Sequence, residues 1–198
     1  MNKKDRDFIE MVKSECKRLG VKCKIKDVKY LKLSPKIRCS GYFDDEKSPV
    51  LAAAMNQKDA MEILVHEYCH MTQWSEGISL WKEASVSIAK IDEWLGGKSV
   101  RGLEKAFQQA IELELDNEKR SVKAIKKFGL SVDTDLYTKK ANTYLQFYNW
   151  MKISRKWSNP NNQPYKNKRL IEAMPSHFRM DYSKLSPKIE KIFREENI

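Results

Sequence analysis

The order of apolar and polar residues predicts a helix followed by a small sheet. In residues 3–19 apolar side chains recur at helical spacing, and Gly20 follows as a typical helix end. Residues 21–33 and 36–44 alternate well enough to be strands, and the short apolar run 49–56 predicts a third strand. The first part of the chain is therefore expected to form one helix and three strands.

The remainder of the chain has the periodicity of helices. A proline follows Ser186, which indicates one more short helix, because proline is favoured in the first turn. The longer helical segments are 57–76, 79–97, 99–128 and 133–154. This order predicts an α+β fold, with residues 1–198 as a single domain and 131–198 as its helical C-terminal extension.

A metal-binding motif lies in the first of these later helices. The stretch ILVHEYCHMTQW, residues 63–74, contains the pattern His66-Glu67-x-x-His70. Residues four apart lie on nearly the same helix face, so both imidazoles can bind one ion while Glu67 reaches a water on that ion. The alternative is a chance match within an ordinary buried helix. Because two of only three histidines fall in the pattern, we favour the metal.

A hydrolytic zinc site needs a third protein ligand and an open position. Wound as a helix, segment 99–128 gathers its apolar residues on one side, and Glu114 and Glu118 fall within that apolar stripe. Buried carboxylates are costly unless a cation compensates them. We therefore predict Glu114 as the ligand and Glu118 as an outer carboxylate or an alternative ligand. Lysine or arginine at the edge of the stripe could instead neutralise both.

Two other kinds of residue are weaker candidates for the site. His177 is the only further histidine, and it could serve as the third ligand or as an assistant in catalysis. Tyr137, Tyr144 and Tyr148 share a helical face, and one of them could donate a hydrogen bond to an oxyanion. An aromatic stripe of this kind is more often core packing.

The motif VHEYCH followed by a helical ELDNE resembles the gluzincin branch of the zincin metallopeptidases. The resemblance implies His66, His70 and Glu114 as zinc ligands, Glu67 as the general base, and Glu118 as the outer carboxylate. It also implies a sheet before the metal helix, whose edge strand binds the substrate backbone, and residues 49–56 occupy the matching place. In size the chain is similar to small metallopeptidases of bacteria and their phages.

Composition bears on location and partners. Hydrophobic residues make up 41% and charged residues 33% of the 198, which is typical of a soluble globular protein. No apolar run approaches the length of a membrane span, and the charged N-terminus lacks the apolar segment of a signal peptide. We therefore expect a cytoplasmic protein without a membrane partner, whose four cysteines are free thiols.

The net charge of +11 favours acidic partners, including nucleic acid, although a solvated lysine-rich surface is the simpler explanation. The function expected from these patterns is that of a zinc-dependent peptidase acting on protein or peptide substrates, with Glu67 as general base. The alternatives are a basic, nucleic-acid-associated metal-binding protein and a zincin fold that binds without catalysis. Histidine and carboxylate ligands also suit several divalent ions besides zinc.

Overall fold

The computed structural model describes residues 1–34, 37–159 and 162–198. The helices within these ranges are α1 (Lys3–Arg18), α2 (Ala60–Ser75), α3 (Ser79–Leu95), α4 (Leu103–Phe128), α5 (Thr134–Ser154), α6 (Lys168–Ala173) and α7 (Pro187–Glu195). The strands are β1 (Lys22–Lys26), β2 (Leu31–Lys32), β3 (Arg38–Cys39), β4 (Gly41–Asp44) and β5 (Val50–Ala54), and Pro164–Lys166 form a short 3-10 helix. None of the helices in the described ranges has the length and apolar character needed to cross a membrane.

The predicted α+β class is confirmed, with the N-terminal helix before a three-stranded sheet and a helical region after it. The sheet has the order β1-β5-β4, with β1 parallel and β4 antiparallel to β5. The predicted first strand divides into β1 and β2, and the second into β3 and β4. Strands β2 and β3 pair with each other in a separate antiparallel ladder. Lys36, within the predicted second strand, lies outside the described residues.

Two compact units make up the chain. Unit 1 contains residues 1–77 and 120–132, and unit 2 contains residues 78–119 and 133–198. Helix α4 supplies residues to both units, because it runs from Leu103 to Phe128 without interruption.

The sheet of unit 1 packs helix α2 against one of its faces. Alternate residues of a strand point to opposite faces, and Gly41 and Phe43 share the face that meets α2. Phe43 packs on Trp74 of α2 with ring centroids 5.6 Å apart. The sheet therefore supports the helix that carries the His66-Glu67-x-x-His70 motif along much of its length.

Helix α1 is joined to the segment that follows α4 through a buried carboxylate. Asp5 is fully buried, and its backbone N–H and carboxylate form a reciprocal capping box with Asn2. The carboxylate also accepts hydrogen bonds from Ser131, one from the hydroxyl and one of 2.9 Å from the backbone N–H. Burial raises the pKa of Asp5, but the hydrogen bonds from Ser131 and Asn2 outweigh it and hold the pKa below its usual 3.8.

Unit 2 is built around helix α5, which is buried on nearly all sides. Its aromatic residues pack against other elements of the unit, and the Trp150 and Phe193 rings stack 5.7 Å apart. Three amides of α5 donate to backbone carbonyls of the irregular segment 175–182: Asn142 to Pro175 and His177, Gln146 to Asp181, and Asn149 to Tyr182. The polar side chains of this buried helix thus provide hydrogen-bond donors for backbone carbonyls in a segment that has no regular structure.

We predict that Asp5→Ala lowers the free energy of unfolding by about 2 kcal/mol at pH 7, because Ser131 and the first turn of α1 both lose their acceptor. The pKa of Asp5 is lower in the folded protein than in the unfolded chain, so the ionised carboxylate stabilises the fold at pH values above the unfolded pKa. This contribution is lost as the pH falls through the folded pKa. Urea denaturation should therefore show a smaller difference between variant and wild type at pH 3 than at pH 7.

The matched control for that experiment is Asp7→Ala, which removes an exposed carboxylate from the same helix. Its effect should stay within about 0.5 kcal/mol at both pH values. Equal effects of the two substitutions would show that the contact between Asp5 and Ser131 does not stabilise unit 1.

Candidate metal centre

Helix α2 places both motif histidines on one face. The rings of His66 and His70 lie 4.7 Å apart between centroids and are nearly perpendicular, at 89°. His70 is buried and His66 is half-buried. This arrangement follows from their separation of four residues in a continuous helix.

One imidazole is oriented by a neighbour on the same helix. The Nδ1 atom of His70 lies 2.9 Å from Oε1 of Gln73, which is fully buried. An amide oxygen can only accept, so Nδ1 is the donor in this contact. Ligand histidines in metal sites are usually oriented in this way by a hydrogen bond to the other ring nitrogen. The sequence alone does not single out Gln73, because a glutamine three residues after a histidine is within reach on a helix but is too common to indicate a contact.

Helix α4 buries both carboxylates that its periodicity places on the apolar side. Glu114 is 7% exposed and Glu118 is 4% exposed, so the prediction that both lie on the buried face is confirmed. On the other side of the helix Glu112 is exposed, and Asp116 is half-buried.

The predicted ligand atoms lie close together. Among the residues that the structure describes, one group of histidine, cysteine, aspartate and glutamate side chains could hold a metal ion. It consists of His66, His70 and Glu114, and one ligand atom from each lies within 4.8 Å of the other two. Metal binding and the role of each residue in it stay predictions.

Glu118 does not belong to this group, and its carboxylate accepts a hydrogen bond from a tyrosine. The Tyr137 hydroxyl donates a hydrogen bond of 2.5 Å to Oε2 of Glu118. This contact gives a buried carboxylate a strong donor, and hydroxyl donors of this kind reduce the cost of burying the charge. One of the three tyrosines that we considered for an oxyanion is thus engaged with a carboxylate.

The other two tyrosines are close enough to Glu114 for its charge to affect them. Burial raises the pKa of Tyr148, and the Glu114 carboxylate raises it further. Burial likewise raises the pKa of Tyr144, with smaller contributions from Tyr148 and Glu114, and the two hydroxyls lie 3.4 Å apart. Both phenols therefore stay protonated at neutral pH and can act as hydrogen-bond donors.

Strand β4 approaches Glu67 very closely. A Cβ atom built on Gly41 would lie 2.6 Å from Cγ2 of Ile63 and 2.9 Å from Oε1 of Glu67. Only glycine allows this approach, because real Cβ contacts are not that short. Glu67, at 8% exposure, is therefore held between its helix and the backbone of β4.

Glu67 also affects the Cys39 thiol. Burial raises the pKa of Cys39, and the negative charge of Glu67 adds to the effect, which brings the pKa to about 11. All four cysteines are free thiols, and none of them belongs to the ligand group.

One strand and one histidine that the sequence suggested for the site lie outside it. Strand β5, within residues 49–56, is the central strand, so the expectation that it forms the edge is wrong; β4 lies at the edge instead. The parallel strand β1 pairs with the other edge of β5, and the order of elements alone does not reveal this pairing. His177 is exposed and lies outside the ligand group, and its backbone carbonyl accepts from Asn142.

Comparison with protein-family models, with curated proteins and with solved structures gave no match. The likeness to gluzincins therefore rests on the motif residues and stays an expectation.

We predict that Gly41→Ala lowers the free energy of unfolding by about 1 to 3 kcal/mol, because the new methyl group overlaps Ile63 and Glu67. Urea denaturation measures the loss. The double variant with Ile63→Ala removes the closest overlapping atom, so its loss should be smaller than the sum of the two single losses. Simple additivity would show that overlap with Ile63 does not cause the loss in Gly41→Ala.

Proposed function

We propose that this protein is a zinc-dependent peptidase, and the observation that carries the proposal is the proximity of His66, His70 and Glu114. The donor set fits zinc: two imidazole nitrogens and one carboxylate oxygen are the protein ligands of many hydrolytic zinc sites. Ligand atoms at about 2.1 Å from one tetrahedral ion lie about 3.4 Å apart, so the present separations need only small side-chain rotations. The orientation of His70 by Gln73 fits the same role.

When bound, zinc polarises a carbonyl group and lowers the pKa of a coordinated water to about 7. Glu67 supplies the proton transfers in this proposal. Its carboxylate takes the proton of the attacking water and returns it to the nitrogen of the leaving amine as the C–N bond breaks. The contact with Gly41 restricts the carboxylate, which favours one position for these transfers.

The substrate is proposed to bind along strand β4. This strand ends the sheet on one side, and an extended peptide can add to a sheet edge through backbone hydrogen bonds. Because Gly41 brings the β4 backbone next to Glu67, a peptide on that edge would lie near the general base. The partner class is therefore a protein or peptide in extended form. We further propose a cytoplasmic location, which suits a protein with four free thiols.

The metal ligands are tested by zinc content. Purified wild type should contain about one zinc per chain by elemental analysis, and His66→Ala and Glu114→Gln should each weaken zinc binding at least about a hundredfold in a chelator competition. Matched controls are His177→Ala and Glu112→Gln, which alter an exposed residue of the same type. Zinc affinity equal to wild type in Glu114→Gln would remove that residue from the ligand set.

The general base is tested by separating zinc binding from turnover. Glu67→Gln should keep the zinc content of wild type while it lowers hydrolysis of casein or a peptide library at least about a hundredfold, because the amide cannot accept the proton. Glu62→Gln alters a half-buried carboxylate at the start of the same helix and should keep its activity. Cleavage by Glu67→Gln at the wild-type rate would reject the mechanism.

A further inference from the structure

The sheet face opposite α2 carries a different chemistry. In the register of the sheet, Lys24 of β1, Ala52 of β5 and Tyr42 of β4 form one row across this face. The alanine is short, so the lysine can reach over it, and Nζ of Lys24 donates to the Tyr42 hydroxyl at 3.2 Å. The face therefore has small residues in its centre and a cation and an aromatic ring beside them.

A groove of about 620 Å³ lies over this face and the neighbouring β2 segment. Among the described residues that line it, four are lysines and none is acidic; the lysines are Lys24, Lys26, Lys29 and Lys32. Three of these lysines are exposed, and only Lys24 is half-buried. None of the four takes part in an ion pair within residues 1–34, 37–159 and 162–198, so their charges stay available to a ligand.

Two aromatic rings line the same groove. Tyr30 is 40% exposed, and the guanidinium of Arg38 lies 4.2 Å from the centre of its ring. Tyr42 also lines the groove, and the ammonium of Lys24 lies 5.9 Å from its ring centre. Each ring is thus held by a cation, and the exposed part of Tyr30 can accept a further flat group by stacking.

We infer that this groove, on unit 1, binds single-stranded nucleic acid, with the lysines on its phosphates and Tyr30 against a base. Lysines two apart in β1 repeat at about 6.6 Å, which is close to the spacing of phosphates along an extended strand. Unpaired bases expose the flat faces that tyrosine stacks on, whereas a duplex hides them. An acidic peptide would use the lysines but offers no flat group for the ring.

The inference does not depend on metal binding or peptidase activity. It accounts for part of the charge of +11 through a defined group of side chains on the face turned away from α2. Failure of one proposal would therefore leave the other standing.

The test is fluorescence anisotropy of the full chain with labelled oligothymidylate and oligouridylate of about ten nucleotides. With four phosphate contacts, the affinity should fall about 50-fold between about 50 and 200 mM salt. In the variant Lys26→Ala/Lys29→Ala the same salt change should lower the affinity only about sevenfold, because two contacts are lost. The DNA and RNA oligomers tell which sugar the groove prefers, and binding of either one supports the inference.

The matched control is Lys123→Ala/Lys126→Ala, which removes two exposed lysines of α4 and lowers the net charge equally. It should leave the affinity and the salt dependence unchanged. Tyr30→Ala should weaken binding at least about fivefold, while Tyr30→Phe keeps the ring and should bind like wild type. Thermal denaturation shows whether each variant is folded.

Three results would overturn the inference. In the first, both double-lysine variants weaken binding equally, which indicates a general effect of charge. In the second, Tyr30→Ala is folded and binds like wild type. In the third, the oligomers do not bind, and polyglutamate or vesicles of anionic lipid bind instead; the groove would then serve an acidic protein or a membrane surface.

Discussion

A buried carboxylate must be compensated, and this constraint shapes helix α4. Its apolar face carries Glu114 and Glu118 one turn apart, and both are buried. A charge buried there without a compensating partner would destabilise the fold. Glu118 accepts a hydrogen bond from the Tyr137 hydroxyl, and the carboxylate of Glu114 lies near the two imidazoles of α2. The same helix face thus combines ordinary core packing with the chemistry proposed for the site.

Much of the candidate site could be predicted from local periodicity. A spacing of four residues is enough to place His66 beside His70 and to put both carboxylates on the buried face of α4. Gln73 also obeys helical spacing, but a glutamine three residues after a histidine is too common to be informative. The contacts of Tyr137 with Glu118 and of Gly41 with Glu67 join separate elements, and periodicity within one element cannot reveal them.

The fold shows the same division between local and long-range information. Five long helices were predicted within a few residues of their ends, because the apolar pattern of a helix lies within the helix itself. The predicted bounds of the strands are less accurate, because the alternation of apolar and polar residues continues through the bend after Lys26 and hides the division between β1 and β2. The central position of β5 depends on a parallel partner that is distant in sequence, and only the folded chain shows it.

The amides of α5 have a consequence for the irregular segment 175–182. Asn142, Gln146 and Asn149 bind this segment by its carbonyl groups, and every residue type provides a carbonyl. Evolution can therefore exchange the exposed side chains there, those of Ser176, His177 and Arg179, without disturbing the path of the segment over the helix, whereas Phe178, Met180 and Tyr182 pack against the core. The amides themselves have no such freedom, because a shorter or apolar side chain in their place would leave main-chain oxygens without a donor.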